Sequence, residues 1–456
     1  MNKKKLLLIN PQSKYKKGFS LTRSSKYIPL GLGIIAALTP KNWEIELIDE
    51  LFEPFTYRDA DIAAFTSFTA NVNRAYELAA LYRKNNITTV MGGIHATMQP
   101  EEAMRYMDII VTGEAEYAWP QLIKDFENGT TKNIYKGEHV DLKDVPIARH
   151  DLWHKDHIFG SIQTSRGCPM SCDFCSVHKF NGNKHRLRPV ENVLDEMEKM
   201  PEKQIFILDD NFYGHSQKSR EHAYAILEGM ISRGIKKQWF TQTSLNVGDD
   251  KKFLKLAAKS GCRTLLVGIE AEELDQLNSI NKKLNIKIGT DHFKQQIKSI
   301  QKAGIAVLGT FIFGLDIDTP EHFNKRADFI NKIGVDSIQT SLLTPLPGTT
   351  LFERAMEENK IIKNNYPEDW KHYNFTESAL LHPTMTTDEI HYHMAKAWQK
   401  LYNKTNLRKH FLKTWLHTKS FTTAYWSYVG NWQYRRIVFE DIGYSPDIPI
   451  DKQKKQ

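Results

Sequence analysis

Twice along this chain, short apolar runs alternate with amphipathic stretches, and that doubled alternation limits the fold more than any other feature. In the first series the candidate strands are residues 6–9, 44–48, 62–66, 89–91 and 109–111. Stretches such as 72–84, with Ala75, Leu78, Leu81 and Tyr82 on one face, lie between them. This order predicts a parallel sheet covered by helices on both faces, a flavodoxin- or Rossmann-like domain over residues 1–140. The candidate strand ends are Asn10-Pro11, Ser67-Phe68-Thr69, Gly92-Gly93-Ile94-His95 and Thr112-Gly113-Glu114. In such a fold, ligands bind at those ends, where small residues let a ligand approach the backbone. Each glycine alone could simply make a tight turn; four such ends together point to a ligand.

Residues 141–158, around Val145-Pro146, read as a linker, and linker-like composition begins near residue 131. The second series has candidate strands at 161–164, 204–208, 239–243, 264–269, 307–313 and 337–342. Helical patterns at 190–200, 251–259, 292–302 and 321–333 separate them. Six such units over residues 159–350 predict a partial TIM-type (β/α)6 barrel, with its chemistry at the carboxyl ends of the strands. Residues 351–456 read as mostly helical.

Cysteine sharpens the picture. The chain has four, too few for a disulfide scaffold, and three of them fall in Arg166-Gly167-Cys168-Pro169-Met170-Ser171-Cys172-Asp173-Phe174-Cys175. That loop follows the first strand of the second series. Three thiolates on one short loop can ligate three irons of a [4Fe-4S] cluster and leave the fourth open for substrate chemistry. A closed zinc site would need a fourth protein ligand, which His178 could supply. A thioredoxin-like Cys172-x-x-Cys175 pair would leave Cys168 unexplained. Cys262 stands alone before a strand and reads as an inert buried thiol.

The C-x₃-C-x₂-C loop after the first barrel strand, with the aromatic Phe174 before the last cysteine, resembles the radical S-adenosylmethionine (SAM) enzymes. The resemblance implies a [4Fe-4S] cluster on Cys168, Cys172 and Cys175. It also implies SAM bound at the open iron and a radical that takes hydrogen from an unactivated carbon. By the same resemblance Asp209 and Asp210 stand where the family contacts the methionine amino group, although the usual Gly-Gly-Glu is absent. Thr241, Gln242, Ser244 and Glu270 stand at further SAM-facing strand ends, and Pro345-Leu346-Pro347-Gly348-Thr349 matches the end of the family barrel. The acids could equally be solvated strand ends or helix caps.

The first domain then resembles the cobalamin-binding domain that precedes many such barrels. Asn10, Ser67, Gly92, Gly93, His95, Thr112, Gly113 and Glu114 are the positions implied for cobalamin, and Pro29-Leu30-Gly31-Leu32 opens the matching helix. One departure matters: after the first strand the chain reads Asn10-Pro11-Gln12-Ser13, not Asp-x-His-x-x-Gly, so no histidine is offered there as a lower cobalt ligand. His95 is expected at the nucleotide or corrin edge. Together these features resemble a cobalamin-dependent radical SAM methyltransferase acting on a small-molecule or lipid substrate, with an electron donor such as flavodoxin or ferredoxin. A non-methylating cyclase or rearrangement enzyme, an RNA-modifying enzyme and a zinc-stapled binding protein are the alternatives.

Charge and the ends complete the reading. The formal net charge is +8, and residues 401–456, with ten Lys/Arg against four acids, carry +6 of it. No DNA partner is expected from so mild a balance. The tail is also rich in aromatics, from Trp415 and Phe421 through Tyr425, Trp426, Tyr428, Trp432 and Tyr434 to Phe439. Packed core, a substrate-capping lid, an RNA-stacking surface and peripheral membrane contact are its four readings. The amino-terminal Met1-Asn2-Lys3-Lys4-Lys5 leads into an apolar run too short for a signal peptide, and no run approaches the ~18 residues that span a bilayer, so a cytoplasmic location is expected.

Overall fold

The structure is a computed structural model and describes residues 3–15 and 27–453. Met1 and Asn2 of the charged amino terminus, and Lys454 and Lys455 of the tail, lie outside those residues.

Six strands form the first sheet: β1 (Lys5–Asn10), β2 (Glu44–Asp49), β3 (Ile62–Thr66), β4 (Thr88–Gly92), β5 (Ile109–Gly113) and β6 (Ile134–Gly137). Every pair is parallel, in the order β2-β1-β3-β4-β5-β6. Leu6 and Leu8 of β1 enter one core with Trp43 and Trp119, while Leu7 and Ile9 enter another with Leu78 and Tyr82. Burial on both faces is why this strand reads as a continuous apolar run. The order reverses between β1 and β3, which places the ligand crevice at their carboxyl ends. Strand β6 has no counterpart among the strands expected from the sequence. Its four residues, Ile-Tyr-Lys-Gly, carry too little pattern to separate from the polar stretch around them.

The second sheet contains β7 (Gly160–Ile162), β10 (Gln204–Ile207), β11 (Gln238–Thr243), β12 (Cys262–Glu270), β13 (Ala306–Phe313) and β14 (Ser337–Leu342). Between β7 and β10 a short antiparallel ladder pairs β8 (Ser165–Arg166) with β9 (Arg186–Leu187). The large sheet is parallel and runs in strict sequence order from β7 to β14, whose outer edges are not paired with each other. This is the open barrel expected from the pattern. Its helices begin where local chemistry dictates: Thr319 caps Pro320–Ile333 with proline at the first turn, and Gly334, at φ 79°, ends it.

The tail closes the open barrel. Helix Phe421–Ile442 packs along β14, helix Lys404–Thr418 packs against it, and helix Thr387–Leu401 reaches the strand through the Trp398 indole, which donates to Thr340 at 2.7 Å. An edge strand leaves backbone groups unpaired. Here the fully buried Asn431 accepts from Ile338 N–H at 2.9 Å and donates to the Asp336 carbonyl at 2.9 Å, while the Tyr402 hydroxyl donates to the Ile338 carbonyl at 2.9 Å. Trp426 reaches the opposite edge, edge-on to Phe159 at 5.3 Å. Tyr428, Trp432 and Tyr434 pack on the same core. Phe439 is buried, Trp426, Tyr428, Trp432 and Tyr434 are half-buried, and Trp415, Phe421 and Tyr425 are exposed.

Candidate active site at the facing sheet ends

The carboxyl ends of the two sheets face each other. The cysteine loop leaves β8 through Arg166, whose guanidinium pairs with Glu116 at 2.6 Å and Glu114 at 3.2 Å, both just beyond β5. Arg186 of β9 also pairs with Glu114 and donates to the Val140 carbonyl at 3.0 Å. Burial raises the Glu114 carboxyl, but the Arg186 hydrogen bond and the Arg166 charge outweigh it and hold the group below the usual carboxylate range. Across the same interface Gly348 sits against Met98: a Cβ there would lie 2.3 Å from the Met98 sulfur. A second bridge runs through Trp370, whose indole N–H donates to Glu102 of the first domain at 2.8 Å.

The cysteine loop is held from every side. Asp209 is fully buried and accepts from the backbone N–H groups of Thr164 (2.6 Å) and Ser165 (3.2 Å) and from both hydroxyls. Its neighbour Asp210 accepts from Gly167 N–H at 2.9 Å and from Asn181 at 3.0 Å. Burial pushes the Asp210 carboxyl up to about 6, against those two hydrogen bonds. Asn281 donates to the Ser171 carbonyl at 2.7 Å, and Arg354 pairs with Asp173 at 3.2 Å. The structure therefore gives Asp209 and Asp210 a supporting role, with their oxygens spent on the loop that carries the thiols.

All four cysteines are free. Burial pushes Cys168 up to about 11 and Cys175 up to about 12, and raises Cys172 as well, while the Lys282 ammonium pulls each of them down. Burial therefore keeps these thiols protonated until a metal takes the place of their protons, and the Lys282 cation offsets part of that cost. Among the described residues no three His, Cys, Asp or Glu side chains converge on one ion. The charges neighbouring His178 are Lys179, Asp173 and Glu353. Three thiols on one short loop suit three corners of a cubane. Cys262 lies at the start of β12, fully buried, with its thiol toward the Thr264 carbonyl.

Beside the thiols stands an ion pair of which the sequence pattern identifies only the acid. Glu270 bonds Lys282 Nζ at 2.7 Å and accepts from the Thr310 hydroxyl at 3.2 Å. The Lys282 ammonium lies over the Phe174 ring, 5.6 Å from its centroid. Burial lowers Lys282, but Glu270 and the thiols raise it further, so it stays charged. Glu270 has φ 70°, an uncommon conformation for a side-chain-bearing residue, and the β12–β13 register shifts at this point. Gly268 makes room: a Cβ there would be 2.4 Å from Glu270 Oε1 and 2.7 Å from Lys282 Nζ. The Gly-x-Glu spacing was the available signal; Lys282, in a polar Asn-Lys-Lys run, gave none. Of the remaining positions, Gln242 shares the Phe240 face of β11. Thr241 faces away, its hydroxyl donating to the Ile207 carbonyl, and Ser244 accepts from Asn211.

In the first domain, Gly92, Gly93, Thr112 and Gly113 are half-exposed at the sheet end. Gly93, at φ 92°, has no space for a Cβ, which would meet Thr66 Oγ1 at 2.7 Å. Gly113 is glycine for another reason: β6 passes so close that a Cβ would meet the Gly137 carbonyl oxygen at 2.2 Å. Phe68 stands at the β1/β3 crevice with 52% of its surface exposed, an apolar face fit for a flat macrocycle. Asn10 bonds Asp49 at 2.9 Å, and the Ser67 hydroxyl donates to the Phe68 carbonyl. His95 is fully buried with both ring nitrogens engaged, Nδ1 with Thr69 at 3.2 Å and Nε2 with Glu102 at 3.3 Å.

Comparisons agree with this geometry. Residues 162–330 match the family model of the radical SAM superfamily, and residues 17–123 match that of the B12 binding domain. The bacteriochlorophyllide d C-8(2)-methyltransferase of Chlorobaculum tepidum is 30% identical over 373 residues, covering 76% of this chain and 79% of its own length. The C-12(1)-methyltransferase of the same organism is 29% identical over 391 residues, 82% of each chain. The solved structure of TsrM from Kitasatospora setae, a radical SAM methyltransferase, shares the fold with a TM-score of 0.71 at 18% identity, over 96% of this chain and 99% of that one. With both domain models matched in order and a relative this similar along most of its length, the chain belongs to the radical SAM enzymes that carry a cobalamin-binding domain and use a [4Fe-4S] cluster, SAM and cobalamin.

Proposed function

We propose that this chain transfers a methyl group from SAM to an unactivated carbon of a small-molecule or lipid substrate. The observation that carries this reading is the direct ion pairing of the cysteine loop, through Arg166, with Glu114 and Glu116 at the end of the cobalamin-domain sheet. It sets both ligand ends against one space. When bound, the cluster and SAM supply hydrogen abstraction from an unreactive carbon, and cobalamin supplies the methyl group.

The chain's own part is to hold and orient. Cys168, Cys172 and Cys175 are assigned to three irons, and Asp209 and Asp210 fix the loop they stand on. Glu270 and Lys282 offer SAM a paired carboxylate and ammonium beside the thiols. Phe68, Gly92 and Gly93 are assigned to the corrin face. His95 is not assigned as a cobalt ligand in this reading, since both of its ring nitrogens are engaged. Free cysteines fit a reducing cytoplasm, where a flavodoxin or ferredoxin would deliver the electron.

The test is anaerobic incubation of reconstituted protein with methyl-labelled SAM, a reductant, and pigment and lipid extracts. Label carried into a product supports methyl transfer. An unlabelled cyclised or rearranged product would overturn it.

A further inference from the structure

We infer that the turn joining helices Lys404–Thr418 and Phe421–Ile442 is a surface that docks on a membrane rich in anionic lipid. The inference does not depend on methyl transfer. It concerns a face at the amino-terminal ends of the barrel strands, away from the cysteine loop: Thr414 bonds Asp336 at 2.6 Å and His410 bonds the Val335 carbonyl at 2.8 Å, both just before β14.

Helix Lys404–Thr418 is turned against the usual sense of amphipathicity. Its buried stripe carries Leu407, His410, Thr414 and Thr418, three of them polar. Its outward stripe carries Leu412, Trp415 and Leu416, the last with 75% of its surface exposed. Across the turn Phe421 and Tyr425 are exposed as well. These side chains form one patch: Trp415 meets Phe421 edge-on at 6.3 Å, Phe421 stacks with Tyr425 at 6.2 Å, and Phe411 lies against both Trp415 and Phe421. Apolar surface of this kind, gathered in one place, marks an interaction site.

Charge identifies the occupant. Residues 401–439 contain seven Lys/Arg and no Asp or Glu. Among the described residues Arg408, Lys409, Lys413 and Lys419 form no ion pair, so four uncompensated cations ring the apolar patch. Leu, Trp, Phe and Tyr among free Lys and Arg match the boundary between anionic headgroups and acyl chains. A second copy of this chain meeting through the same face would set those cations against each other. No helix among the described residues is long and apolar enough to cross a membrane, so the contact lies on the surface.

Flotation of the full-length holoenzyme with vesicles tests this. Vesicles of phosphatidylcholine with phosphatidylglycerol should carry the protein, phosphatidylcholine alone should not, and high salt should release it. Leu416→Ser combined with Phe421→Ser should weaken binding about tenfold or more with an unchanged melting temperature. Lys409→Glu combined with Lys413→Glu should abolish the preference for phosphatidylglycerol. Flotation unaffected by either pair of substitutions would overturn the inference, as would failure to float with any vesicle. A concentration-dependent dimer dissolved by Leu416→Ser, or RNA binding lost in the lysine variant, would reassign the face if vesicles remain unbound.

Discussion

The two sheets turn the same end toward the same space, yet they finish it differently. At the barrel end, side chains from distant segments seize one loop: Asp209 holds Thr164 and Ser165, Asp210 holds Gly167, Asn281 holds Ser171, and Arg354 holds Asp173. At the cobalamin-domain end the work falls to backbone and small residues, with Gly92, Gly93 and the exposed Phe68 forming an open floor. The difference suits the ligand proposed for each end. A cluster is gripped at three points and tolerates little movement of its thiols. A macrocycle is held by area, so its site needs room and an apolar face more than fixed donors.

The largest effect should come from the thiols. Cys168→Ala, Cys172→Ala and Cys175→Ala should each lose the iron–sulfur absorbance and all activity, while Cys262→Ala keeps both and costs about 1 kcal/mol of stability. Iron content per chain and a melting curve separate the two classes. If one of the three variants kept a full cluster, the three-point grip at the barrel end would be broken as an idea.

Next in size is the frame of that grip. Asp209→Ala would leave buried N–H and O–H donors of Thr164 and Ser165 without an acceptor, at about 1–3 kcal/mol for each group that stays unsatisfied. It should lower both the melting temperature and the iron content, and Asp209→Asn, which keeps one acceptor oxygen, should do less. Loss of stability with a normal cluster would show that the loop does not need Asp209 to present its thiols.

The clasp between the two ends comes third. Arg166→Met would leave Glu116 buried without its partner, costing about 3 kcal/mol. Iron and cobalamin should both still bind, each on its own domain, while methyl transfer falls; that split separates orientation from binding. Acid should mimic the change. Glu114 is held below the usual carboxylate range, so its contribution is complete above about pH 4.5 and is lost as pH falls through its folded value. A domain-separation signal in small-angle scattering that appears on acidification, and at higher pH in Arg166→Met, would sharpen the comparison.

How legible this was depends on the range of the interaction involved. Strand and helix periods are local, so both parallel sheets could be read from the pattern, and helix Val72–Lys84 begins and ends where that pattern does. The cysteine loop is local too, and few chemistries need three thiols at that spacing. Partners distant along the chain were not legible. Asp209 and Asp210 stand at a strand end where a ligand contact is a natural expectation, but which oxygens remain free depends on Thr164 and Asn181, which only the fold brings near. Gly113 reads as a ligand cradle because a close backbone and a close ligand ask for the same residue, and β6 supplies a close backbone that the pattern does not reveal. The tail's packed-core reading could not name its partners: Asn431 and Tyr402 complete an edge strand, a role that composition cannot express.

The smallest expected effect tests the open floor. Phe68 is exposed, so Phe68→Ala should leave the stability of the cobalamin-free protein within about 0.5 kcal/mol of the original. If its ring covers one face of the corrin, the lost apolar contact should weaken cobalamin binding about tenfold, in keeping with burial of a large side chain. The iron–sulfur spectrum should not change, because Phe68 shares no hydrogen bond or ring contact with the cysteine loop among the described residues. A titration of the cobalamin-free protein with cobalamin, followed by the shift in the visible spectrum, measures the affinity directly. Unchanged affinity would mean that the macrocycle leans on Gly92 and Gly93 at the end of β4 instead. The contrast between a gripped end and an open one would then rest on backbone alone.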